Sequence, residues 1–68
     1  EVAAEYGKLA GDAVAALDEP VGTRKRTLAR LRREFRRIRR RDYFSASERE
    51  GARAALDELA ASVQEVVA

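Results

Sequence analysis

Apolar residues recur along this 68-residue chain at intervals of three and four, never for long at an interval of two. Such spacing puts one side chain per turn on a common helix face, whereas a half-buried strand needs strict alternation. Three segments carry the pattern. From Val2 to Leu17 the face is Val2, Tyr6, Leu9, Ala13, Ala16 and Leu17. Between residues 23 and 41 it is Leu28, Leu31, Phe35 and Ile38, the spacing of a single buried seam. After residue 46 it is Ala52, Ala55, Leu56, Leu59, Val63, Val66 and Val67.

Two breaks separate the stripes. At Asp18-Glu19-Pro20-Val21-Gly22 the residue before proline avoids the α region, and proline has no N–H with which to continue a helix. Thr23 is predicted to cap the second helix. At the other break Ser45…Glu48 and Ser47…Glu50 both fit a capping box, which predicts a third helix starting near residue 46 or 48. The fold class is therefore all-α, with helices at about 2–18, 23–41 and 46–67, arranged as an antiparallel bundle or as a helical hairpin open to self-association. Gly7 and Gly11 interrupt the first helix at about 1 kcal/mol each relative to alanine. Small residues four apart also allow a second helix to approach closely.

Composition changes this picture in two ways. Bulky apolar residues are few (six Leu, six Val, one Ile, two Phe and two Tyr beside fourteen Ala), so the core of this single small domain, residues 1–68, is thin. The chain has no methionine and reads as a piece of a longer protein, whose other segments would complete its core. It also lacks cysteine and histidine, which removes thiolate, disulfide and imidazole chemistry. No metal, cofactor or catalytic residue is expected, and the chain reads as non-catalytic. No run approaches the roughly 20 apolar residues of a membrane span and no signal peptide is recognisable, so the expected compartment is the cytoplasm.

The net charge of +2 hides a segregated arrangement. Residues 1–20 set Lys8 against Glu1, Glu5, Asp12, Asp18 and Glu19; residues 42–68 set Arg49 and Arg53 against six acids. Between them, residues 24–41 hold eleven basic side chains and one acid, Glu34. On a wheel of about 100° per residue, Arg26, Arg30, Arg33, Arg37 and Arg40 lie opposite the apolar seam. They make a ladder about 21 Å long at about 1.5 Å per residue. Like charges one turn apart, such as Arg26/Arg30 and Arg33/Arg37, each cost an isolated helix roughly 0.2–0.5 kcal/mol. Relief within the helix is limited to Glu34 with Arg30 or Arg37, and Asp42 with Arg39.

Two readings of the ladder follow. In one, the flanking acidic helices supply the counter-charge: Glu5, Asp12, Asp57, Glu58 and Glu65 would reach Arg32, Arg36 and Arg39 on the seam's shoulder, and the chain is a structural interaction or oligomerisation domain. In the other, Arg26, Arg30, Arg33, Arg37 and Arg40 contact DNA or another polyanion, since guanidinium suits bidentate phosphate binding. No aromatic interleaves the ladder, which argues against stacking on single strands. The helix has no Asn or Gln, so contact would be to phosphates with little sequence readout. Tyr43 and Phe44 stand at the corner before the third helix. They either plug the open end of the core or dock a second copy or the missing part of the protein. Tyr6 is read as core or rim.

Three stretches together resemble the helical segment of chromate-resistance regulators of the ChrB type. They are Glu5-Tyr6 with Leu9, the helix of residues 31–44 ending in Arg41-Asp42-Tyr43-Phe44, and the small-residue helix of residues 45–63. Arg41-Asp42-Tyr43-Phe44 is the distinctive element and resembles that family's corner motif. Residues 18–27 depart from it, being shorter and more basic than the family's linker. The resemblance implies a helical module of a bacterial transcriptional regulator of chromate efflux, placed after a winged-helix-like portion. It also implies an oxyanion effector, a tetrahedral dianion of the kind that clustered guanidiniums bind.

Overall fold

Each apolar stripe becomes the inner face of a helix. The computed structural model describes residues 1–43 and 46–64, in which α1 spans Val2–Ala16, α2 Val21–Arg39 and α3 Ala46–Gln64. All three helices pack on one another, so the chain forms a three-helix bundle. Helices α1 and α2 run antiparallel: Glu5 at the start of α1 meets Arg41 just beyond α2, while Leu17 past the end of α1 meets Arg24 near the start of α2.

The core holds Tyr6, Leu9, Ala13 and Ala16 from α1, the whole seam Leu28, Leu31, Phe35 and Ile38 from α2, and Ala52, Leu56, Leu59 and Val63 from α3. Val2, Leu17 and Ala55 pack at its margin. The alanines bring helix backbones together, and the few large side chains fill what remains. Tyr6 and Phe35 meet at a ring-centroid distance of 5.7 Å with planes tilted by 53°, an arrangement that favours aromatic pairs by about 0.5–1.5 kcal/mol beyond area burial. Val66, Val67 and the predicted end of α3 at residue 67 lie outside the described residues.

The helix ends differ from the sequence reading in definite ways. Helix α1 stops at Ala16, and the N–H groups of Leu17, Asp18 and Glu19 bond to carbonyls three residues back, tightening the chain before Pro20. Thr23 is not the cap of α2. The helix begins two residues earlier at Val21, with Pro20 in the N-cap position and no side-chain cap. The Pro20 carbonyl accepts from the N–H of Arg24 at 2.9 Å, so the proline starts the helix rather than merely ending the one before. Thr23 sits inside the first turn, where its hydroxyl accepts from Arg26 Nη2 at 3.1 Å. At the other end α2 closes at Arg39, and Arg40 and Arg41 form a turn rather than helix. Helix α3 starts at Ala46, which places Ser47 inside it and removes the Ser47…Glu50 box; Ser45 of the other box lies outside the described residues.

The close crossing at Gly7 and Gly11 is not made among the described residues. Both glycines are exposed, and a Cβ on either would meet nothing within 4 Å.

Candidate nucleic-acid interface

Because the seam of α2 faces the core, the opposite side of the helix faces solvent. Arg26, Arg30, Arg33, Arg37 and Arg40 are all exposed, as the wheel requires. So are Lys25, Arg32, Arg36 and Arg39 on one shoulder.

The fold itself uses three of the eleven cations in residues 24–41. Arg30 donates to Glu34 one turn on at 2.9 Å, which decides between the two partners open to that acid. Arg41 donates to Glu5 at 2.6 Å, tying the corner after α2 to the start of α1. Arg24 lies one turn before Leu28 on the seam side and is half-buried. Its Nη1 reaches the Leu17 carbonyl at 3.5 Å, a cation at the C-terminal end of α1 where the macrodipole favours one. Its Nε is buried without a hydrogen-bond partner, a local cost of placing a guanidinium at the edge of the core.

The other eight, Lys25, Arg26, Arg32, Arg33, Arg36, Arg37, Arg39 and Arg40, form no ion pair among the described residues. The acids expected on the shoulder do not reach them. Glu5 is taken by Arg41 and Asp12 by Lys8 at 3.5 Å, while Asp57 and Glu58 are exposed on α3 and pair with nothing on α2. Glu65 lies outside the described residues.

Asp42 also departs from the expected pairing with Arg39. Its carboxylate is 1% exposed, and its Oδ2 accepts from the Tyr6 hydroxyl at 2.9 Å and from Arg49 Nη1 at 3.0 Å. One oxygen thus ties α1, the corner after α2 and α3. Beside it Arg41 binds Glu5, so Glu5-Tyr6 and Arg41-Asp42 meet as two consecutive pairs. The hydrogen bond from Arg41 holds the Glu5 carboxyl below its ordinary range, and the same bond pushes the Arg41 guanidinium up. Burial, then the hydrogen bond to Asp42, pushes the Tyr6 phenol above its ordinary value. Tyr6 is therefore a core residue with a polar anchor. The clasp is structural, and it fixes the end of α2 that carries Arg37 and Arg40.

Tyr43 does not plug the core: it is 81% exposed at the corner, one residue beyond the clasp. Its partner in the sequence reading, Phe44, lies outside the described residues. A cleft of about 220 Å³ between α1 and α2 is lined by Lys8, Arg37 and Arg41 together with Glu5 and Glu34, a mixed set in which Arg41 is already bound to Glu5. The available cationic surface is the open face of α2. Among the described residues no helix is long and apolar enough to cross a membrane.

No protein-family model matches the chain, and no curated protein or solved structure is significantly similar to it.

Proposed function

We propose that this chain is a non-catalytic helical module whose α2 binds the phosphates of nucleic acid through Arg26, Arg30, Arg33, Arg37 and Arg40. The observation that carries the reading is the set of eight exposed cations between residues 25 and 40, Arg26, Arg33, Arg37 and Arg40 among them, that form no ion pair among the described residues. Repulsion within such a row is relieved most directly by a polyanion whose charges repeat along its length. The contact would be to backbone, positioning rather than specifying. On the resemblance carried by Glu5-Tyr6 and Arg41-Asp42-Tyr43-Phe44, we place the module in a cytoplasmic bacterial regulator of the chromate-resistance type.

A second reading is a structural interaction domain, favoured by the 81% exposure of Tyr43 at the corner. There the acids of α1 and α3 would offset α2 through the field rather than by contact.

Fluorescence anisotropy of a labelled mixed-sequence duplex, titrated with the chain at several salt concentrations, separates the two. Binding that weakens linearly in log salt is expected, with a slope of about −3.6 or steeper, which is four or more phosphates at about 0.9 each. Absence of binding at low salt would leave the interaction domain.

A further inference from the structure

The cations of α2 cover more of its circumference than contact with one phosphate strand needs. At about 100° per residue the exposed cations run from Arg39 and Arg32 on one shoulder, through Arg36, Arg40, Arg33 and Arg37, to Arg30 on the other, an arc of about 180°. Two rows can be drawn in it. The outer row is Arg26, Arg30, Arg33, Arg37 and Arg40, all exposed, with Arg30 also paired to Glu34; the shoulder row is Lys25, Arg32, Arg36 and Arg39, each exposed and none ion-paired among the described residues. Between the rows near the start of the helix stand only Gly22 and Ala29, both exposed and small. Near its end a shallow depression is lined, among the described residues, by Arg36, Arg39 and Arg40, one of them from the outer row and two from the shoulder.

A helix lying flat on one strand would use the outer row and leave the shoulder row in water. A helix lying in a groove has a phosphate strand on each side, which is the arrangement two rows match. The bundle is 17 × 16 Å across in its shorter dimensions, wider than the major groove of B-form DNA at about 12 Å. One helix, about 10–12 Å in diameter with its side chains, fits that groove. The deep, narrow major groove of double-stranded RNA does not admit it.

Resting on the phosphate-binding reading above, we propose that the partner is B-form duplex DNA and that α2 lies lengthwise in its major groove. The outer row faces one strand's phosphates and the shoulder row faces the other's. Gly22 and Ala29 leave room for close approach to the groove floor.

Two matched variants of the full chain test this: Arg33→Gln with Arg37→Gln and Arg40→Gln, and Lys25→Gln with Arg32→Gln and Arg36→Gln. Neither set touches the core or the Asp42 clasp, and circular dichroism checks that both remain helical. The slope of log affinity against log salt on a DNA duplex is then compared with that of the natural chain. Each triple variant is expected to make the slope shallower by about 2.7, three phosphates at about 0.9 each, and double-stranded RNA is expected to bind with a shallower slope than DNA. A slope that changes only with the outer-row variant would overturn the groove and leave a contact to one strand. Equal slopes on DNA and RNA would overturn it too. A natural chain that binds no duplex at all would instead remove the phosphate-binding reading beneath it.

Discussion

Replacing Asp42 by alanine is expected to cost about 2–4 kcal/mol, the largest effect of any single polar substitution in the chain. Two losses add. The Tyr6 hydroxyl, fully buried, loses its acceptor, and an unsatisfied buried donor costs about 1–3 kcal/mol. Arg49 loses its ion partner as well, but its side chain is 31% exposed and can turn to water, so that loss belongs at the low end, about 1 kcal/mol. A domain of this length has roughly 3–10 kcal/mol of stability in total, so the variant should lose a large share of it. Asp42→Asn keeps an acceptor for the phenol and should cost less than Asp42→Ala. Urea denaturation followed by circular dichroism measures both. A loss under about 1 kcal/mol for Asp42→Ala would mean that the apolar seam alone holds the three helices in register.

The second large effect is on binding. Reversing two rungs of the ladder, Arg33→Glu with Arg37→Glu, should lower affinity for a DNA duplex by more than about a hundredfold at 50 mM salt. At that concentration each phosphate contact is worth roughly a factor of ten through counterion release. Two such contacts are lost, and the two new acids repel the backbone in addition. Both positions are exposed and clear of the core, and the change replaces crowded arginines with acids one turn from Arg30 on the helix and from Arg40 in the turn after it. Helicity should therefore be unchanged. Affinity equal to that of the natural chain would show that the ladder does not touch DNA.

The apolar seam was legible because burial in a helical bundle follows one periodicity. Leu28, Leu31, Phe35 and Ile38 are all buried, and so the arginines opposite them had to be exposed. The pairing of individual charges was not legible in the same way. Whether Glu5 reaches Arg32 or Arg41 depends on how α1 is rotated and shifted against α2, which a wheel for one helix does not contain. Asp42 was read with its neighbour Arg39 because local pairs are the ones sequence spacing displays. Its actual partners, Tyr6 and Arg49, are 36 and 7 positions away. The pairs 5–41 and 6–42 run in the same order along both segments, which antiparallel helices do not suggest, because Arg41 and Asp42 lie beyond the end of α2. Thr23 was read as a cap because its hydroxyl is a good acceptor, yet Pro20 with its preset φ of −58° starts the helix without one. Of the two readings of Tyr43, a plug for the open end of the core or a docking residue, the plug fails because the chain has already left the α2 seam at that point.

The claim on which the functional reading stands is that α2 carries a charge surplus its own chain does not neutralise. Urea unfolding of the natural chain at 10 mM and at 500 mM sodium chloride, without nucleic acid, tests it most directly. Salt screens exposed charges over about 30 Å at 10 mM and only a few Å near 1 M. If like-charge repulsion along α2 dominates, screening it stabilises the fold and the unfolding midpoint rises with salt, the expected result. A midpoint that falls with salt would mean that attraction between α2 and the acidic helices dominates, and that the arginines are already answered from within.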